Sequence, residues 1–181
     1  MKTLLLLSTV IFAFVGMVQT SPAQELANKK VLGLELGAKL PELNVTNQHG
    51  KEIPLAAAKG DQWVFVFFYP KALTGGCTKQ VCSVRDVYEE LTEQKVSVFG
   101  VSTDDVKAQM KFSEKEKLNY NLIADADKKV TTSFKVPLIA NKLSSRSAFL
   151  FKGGVLVWRD VKGATATQGE EVLQAIKDSS K

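Results

Sequence analysis

The sequence predicts one α/β domain, a mixed β-sheet with helices packed on both faces. Three observations carry this. Strand-like and helix-like segments alternate from about residue 43 to the C-terminus. The runs Trp63 to Tyr69 and Val96 to Val101 are apolar at nearly every position, the pattern of strands covered on both sides. Two strand-like runs near the C-terminus flank Lys152-Gly153-Gly154, a hairpin signal that adds antiparallel pairing to the sheet.

The first residues read as an export signal. Lys2 gives a positive start, Leu4 to Val18 is apolar, and Ser21-Pro22-Ala23 offers the small residues of a cleavage site. A membrane span needs about 20 residues, and this run is shorter. The competing reading is an uncleaved N-terminal anchor. No cysteine follows the run, which excludes a lipoprotein, and there is no twin arginine. The expected organisation is a signal peptide over residues 1–23 and a single domain over 24–181. The product is expected to be exported, periplasmic or secreted, with no stable membrane association after cleavage.

Within the domain, Leu43 to Thr46 and Glu52 to Leu55 predict a small hairpin around Gln48-His49-Gly50. Trp63 to Tyr69 is the central strand. Thr78 to Glu93 predicts a helix, with Val81, Val84, Val87, Tyr88 and Leu91 along one side. Val96 to Val101 is a second buried strand, and Ser102 to Asp105 fits a capping box opening a helix that runs to Lys117. Leu122 to Ala124 predicts a short strand and Asp127 to Phe134 a short helix. Ala148 to Phe151 and Val155 to Trp158 form the hairpin, and Thr167 to Glu170 a capping box that starts the last helix, Glu170 to Lys177. This is a thioredoxin-like order.

Composition excludes several functions. A domain of this length buries a full core without staples. Without Lys2 the net charge falls from +5 to +4, and the basic residues are interleaved with acids, as in Lys111 to Lys117. Such alternation is a solvated helix face, and the clustering a nucleic-acid partner needs is absent. The one histidine, His49, sits in a predicted turn. A Cys-His hydrolase or a histidine-rich metal site therefore lacks its parts.

The two cysteines, Cys77 and Cys82, lie five positions apart just beyond the central strand. In an exported chain they read first as a structural bridge. Cys77 also falls at a predicted helix start, where unpaired N–H groups and the helix dipole favour an anion. Arg146, just ahead of the strand at Ala148, is placed to reach the neighbouring strand end, or else is a surface residue. Pro70 ends the central strand and Thr74 precedes the helix. Each has an ordinary structural reading alone, but together they make the pattern P-x3-T-x2-C.

That segment, Pro70 to Cys77, resembles the peroxiredoxin active-site loop. The longer run FYPKALTGGCTKQVCSVRD resembles the Q-type, bacterioferritin-comigratory-like peroxiredoxins. Gly100 to Asp104, Leu122 to Asp125 and Arg146 to Leu150 are further matches, so the resemblance covers about residues 36–176. It implies a thioredoxin-like fold of peroxiredoxin type and a thiol peroxidase. Cys77 would be the peroxidatic cysteine, Thr74 and Arg146 would hold the peroxide, and Pro70 would shape the pocket. Cys82 would be the resolving cysteine, forming an intramolecular disulfide that a thioredoxin-like dithiol reduces. The substrate would be a hydroperoxide, no metal or organic cofactor is implied, and relatives of this type are commonly monomers.

Helix geometry adds an expectation. Residues five apart in a helix are separated by about 7.5 Å of rise and roughly 140° of rotation, or about 8.6 Å between Cα atoms. A disulfide needs about 4.4–6.8 Å. If both cysteines are helical when reduced, bridging must unwind the segment near Thr78 to Val84. A staple closing so small a loop would add only about 2 kcal/mol.

The chain departs from the family pattern in places. Gly75 stands where a proline is usual, Gln109 where a histidine is frequent, and Phe151-Lys152 where the arginine strand often ends in an acid. Two other readings remain: a thioredoxin-fold thiol–disulfide exchanger or copper-delivery protein, and a non-catalytic binding module of the same fold. The first usually carries C-x2-C, or C-x3-C with a distant histidine. The second predicts that Cys77→Ser alters only stability.

Overall fold

A computed structural model describes residues 32–55 and 62–180. The expected signal peptide, residues 1–23, lies outside the described residues. A five-stranded mixed sheet organises the rest, in the order β5-β4-β3-β8-β9. Its strands are β3 (Trp63–Phe68), β4 (Val96–Ser102), β5 (Asn121–Ala124), β8 (Ser147–Lys152) and β9 (Val155–Asp160). Two small hairpins flank it: β1 (Asn44–Thr46) with β2 (Glu52–Pro54), and β6 (Leu138–Ile139) with β7 (Leu143–Ser144). The second of these had no signal in the sequence.

β3 is the middle strand and is buried at all six positions. Its period-two alternation feeds two cores. Trp63, Phe65 and Phe67 point into one, with the continuing residue Tyr69, and Val64, Val66 and Phe68 into the other. The first core is covered by α1 (Gly75–Asp86), α2 (Tyr88–Glu93), α3 (Val106–Glu116) and α5 (Gln168–Ser179), through Val81, Val84, Leu91, Phe112, Val172 and Ile176. The second is covered by α4 (Lys129–Ser133) and the first hairpin, through Val130, Val45 and Leu55. An all-apolar β3 is what a strand sandwiched in this way requires.

Register sets the geometry of the site. β3 runs parallel to β4 and antiparallel to β8, with Phe68 opposite Ser147. One residue further, Arg146 therefore stands across from Tyr69, at the mouth of the loop that leads to Cys77. The turn at Gly153 and Gly154, both at positive φ, closes β8 onto β9 as expected.

Helix boundaries differ from the sequence expectation at several ends. α1 begins at Gly75, not Thr78, capped by Thr74 in extended backbone. Glycine weakens a helix interior, but the first turn makes few internal bonds, so Gly75 and Gly76 fit there. The same helical stretch breaks at Val87, where φ is −108° and ψ 9°, and α2 follows as a separate turn. Both predicted capping boxes fail. Asp105, not Ser102, caps α3, its carboxylate accepting from the Ala108 N–H. Ser102 is instead the buried last residue of β4. α5 starts at Gln168, and the Thr167 hydroxyl donates to the Glu171 carboxylate, leaving the cap without a side-chain bond.

Candidate active site

The loop after β3 is pinned from the neighbouring strand end. Asp104, just beyond β4, accepts from the Ala72 N–H and from the Ser102 hydroxyl, both at 2.7 Å. Tyr69 is held on two sides. The Ser144 hydroxyl donates to its carbonyl at 2.9 Å, and its phenol donates to Gln109 Oε1 at 2.5 Å. Burial pushes that phenol far above the ordinary tyrosine range, so it stays a donor. Gln109, at the departure from the family's histidine, donates to Ser102 Oγ and to the Ile123 carbonyl. A neutral amide completes this buried network with three bonds, one accepted and two donated.

From that anchored base the chain passes half-buried Pro70 and turns through Leu73, which holds a left-handed φ of 62°. Such a conformation in a leucine stores strain of order 1–3 kcal/mol. Thr74 follows, exposed, its hydroxyl donating to the Lys71 carbonyl at 2.9 Å. Cys77 is the third residue of α1, so its sulfur lies in the first turn, and it is only 2% exposed.

Arg146 completes the arrangement. Its Nη2 donates to Cys77 Sγ at 3.5 Å and its Nη1 to Gln80 Oε1 at 2.5 Å. The guanidinium thus sets a cation against the sulfur in the first turn of the helix. Gln80 is fully buried and passes the contact on, donating to Gln168 Oε1 at 3.1 Å. Gln168 can reach Gln80 because α5 packs tightly on α1, where a Cβ on Gly169 would lie 2.2 Å from the Ser83 carbonyl oxygen. The stem of Arg146 rests on Gly163, at φ +90°, where an added Cβ would meet three stem carbons at 2.9–3.1 Å. Asp160 shapes that loop by accepting from the N–H groups of Lys162, Gly163 and Ala164.

Cys82 lies on the same helix, half-buried, and both thiols are free. It donates to Glu116 Oε2 at 3.7 Å. Burial pushes its thiol up from the ordinary value, Arg85 opposes this, and Glu116 and Asp86 reinforce it. The two cysteines are thus helical in the reduced form, the condition under which the spacing forbids a bridge without unwinding.

The structure therefore brings Arg146 to Cys77 directly. Thr74 stands at the N-cap position of the same helix and Pro70 in the loop before it, neither with a hydrogen bond to Cys77 among the described residues. Cys82 sits on another side of the helix. Sequence reasoning missed Gln80, Gln168, Gly163 and Asp104. Gln80 lies three residues after Cys77, one helical turn on, and that spacing is the one signal that could have found it. Among the described residues, no three His, Cys, Asp or Glu side chains gather as a metal would require.

A thioredoxin-like sheet presenting a buried thiol at a helix start beneath an arginine defines a thiol-dependent redox enzyme. The AhpC/TSA family matches residues 36–159. Peroxiredoxin Bcp of Bacillus subtilis is 35% identical over 156 residues, covering 81% of this chain and 98% of that protein. Peroxiredoxin Bcp of Escherichia coli is 42% identical over 103 residues, covering 57% of this chain and 65% of that protein. The bacterioferritin comigratory protein of Xanthomonas campestris, solved in work on its alkyl peroxide reduction activity, superposes with a TM-score of 0.73. It is 28% identical and covers 81% of this chain and all of that one. The chain belongs to the AhpC/TSA family, as a peroxiredoxin similar to the Bcp members.

Proposed function

We propose that this peroxiredoxin reduces hydroperoxides through Cys77 and regenerates the thiol by way of a Cys77–Cys82 disulfide. One observation carries the assignment of Cys77: its sulfur accepts from Arg146 Nη2 at 3.5 Å in the first turn of α1. That setting places a cation beside the attacking sulfur and offers it to the oxygens of a bound peroxide.

In the first step the Cys77 thiolate attacks the terminal peroxide oxygen. The S–O bond forms, the O–O bond breaks, and the leaving alkoxide or hydroxide takes a proton to become alcohol or water. Arg146 stabilises the charge that develops on the departing oxygen. The Thr74 hydroxyl, exposed at the helix cap, turns from the Lys71 carbonyl to the substrate, and Pro70 walls the pocket against water.

In the second step Cys82 attacks the sulfenic sulfur. The S–S bond forms, the S–O bond breaks, and hydroxide leaves as water with the thiol proton. Two electrons from a thioredoxin-like dithiol then reduce the disulfide. The reading extends to an exported monomer, on the strength of Lys2, the apolar run Leu4 to Val18 and the resemblance to Q-type proteins. Cell fractionation and solution mass measurement test those two points.

The decisive assay follows hydrogen peroxide and alkyl hydroperoxide consumption driven by a dithiol. Cys77→Ser abolishes turnover. Cys82→Ser accumulates sulfenic acid that a small thiol can reduce. Peroxide consumption that survives Cys77→Ser defeats the assignment.

A further inference from the structure

The two halves of α1 are held by different parts of the fold. Arg146 and Gln168 hold the first half, through Cys77 and Gln80. The corner between α3 and β5 holds the second half by three bonds. Glu116 Oε2 accepts from Cys82 Sγ at 3.7 Å, the Glu116 carbonyl accepts from Arg85 Nη1 at 2.7 Å, and the Tyr120 hydroxyl donates to the Val81 carbonyl at 2.8 Å. The Glu116 side chain is itself largely covered, at 16% exposed. Of the three bonds, only the one to Cys82 joins side chain to side chain.

This contact belongs to the closed helix alone. Disulfide formation requires Cα atoms about 4.4–6.8 Å apart, and an intact helix holds residues five apart at about 8.6 Å. Cys82 must therefore leave Glu116 before it reaches Cys77. The bond to the carboxylate is thus lost before the attack. A group that binds only the closed state draws the equilibrium toward that state.

We propose that Glu116 is a positioning residue for the resolving thiol: its carboxylate latches Cys82 onto the closed helix and so slows disulfide formation. The latch rests on the reading of Cys82 as the resolving cysteine. The charged and titratable groups facing Cys82 are Arg85 and Asp86 on its own helix, Glu116 on α3, and Tyr120 just before β5. Of these only Arg85 favours the thiolate, and its Nε and Nη2 are engaged by Asp86. Burial first, and then the carboxylates, favour the protonated sulfur while it is latched. The proton that leaves with the sulfenic oxygen is then carried by Cys82 itself.

Disulfide formation after a pulse of peroxide, followed by acid quench and mass spectrometry, tests the latch. Removing one weak charge-assisted hydrogen bond predicts about three- to tenfold faster closure in E116A, with E116Q between it and wild type. The rate of Cys77 oxidation stays unchanged, and E114A, at an exposed neighbouring position, closes at the wild-type rate. In a C77S background, the pH midpoint for alkylation of Cys82 moves down in E116Q, a shift that a purely structural contact would not produce. Closure in E116A at or below the wild-type rate, or an unmoved alkylation midpoint, overturns the latch. If C82S fails to lengthen the sulfenic-acid lifetime, the resolving role itself fails and the latch falls with it.

Discussion

Arg146 Nη1 donates to Gln80 Oε1 at 2.5 Å, so the arginine that faces the Cys77 sulfur is oriented by a residue one helical turn beyond it. The bond crosses 66 positions of sequence and couples the end of the loop before β8 to the middle of α1. Gln80→Ala frees the guanidinium to swing away from the thiol. A hydrogen bond to a charged group is worth about 1.5–3 kcal/mol, which predicts a fall of about ten- to a hundredfold in the rate of Cys77 oxidation. The substitution also strips Gln168 Oε1 of its donor, lowering stability by about 1–3 kcal/mol. Stopped-flow oxidation and urea unfolding measure the two effects separately.

Gly75 is the first residue of α1, where proline is favoured because its missing N–H has no helical partner to lose. Nothing lies within 4 Å of a Cβ built there. Thr74, the preceding residue, already has the extended backbone that a following proline demands, at φ −104° and ψ 150°. Gly75→Pro is therefore expected to stabilise the reduced protein by about 0.4–1 kcal/mol, mostly by restricting the unfolded chain. Thermal unfolding of the reduced protein checks this, and a lower midpoint contradicts it.

These positions show what was legible in the sequence. The order of elements was, because β3 and β4 are apolar at almost every residue and the Gly153-Gly154 turn is local. Pro70, Thr74, Cys77 and Cys82 were legible because they are close in sequence. Arg146 was legible only as one of two readings, since the β3–β8 register that brings it to the strand end is not written in local sequence. Gln80 and Gln168 were hidden because they look like polar residues of surface helices, and their burial arises only when α5 nests on α1 at Gly169. The start of α1 was misread because glycine's low helix propensity weighs little in a first turn. Ser102 was misread as a cap because β4 runs one residue longer and takes it into the core.

Stability carries a pH signature of the Cys82 thiol. Burial, with Glu116 and Asp86, pushes Cys82 up from its ordinary 9.0 in the folded state. Above about pH 9 the unfolded chain has released this proton while the folded chain keeps it, so the folded state binds more protons there. The stabilisation is thus fully present below that pH and is lost as pH rises. Tyr69 and Tyr120, also shifted up by burial, act in the same direction at higher pH. Between pH 8 and 10 the urea midpoint of reduced wild type should fall more steeply than that of Cys82→Ser. Parallel curves would contradict the assignment.

Amide hydrogen exchange across Thr78 to Val84, compared in the reduced and disulfide forms, tests the central claim most directly. Both cysteines are helical in α1, at a spacing that an intact helix cannot bridge. Protection across this segment should be high when reduced, lost after one equivalent of peroxide, and restored by a dithiol. Equal protection in both forms, with the Cys77–Cys82 disulfide verified by mass, would contradict the account.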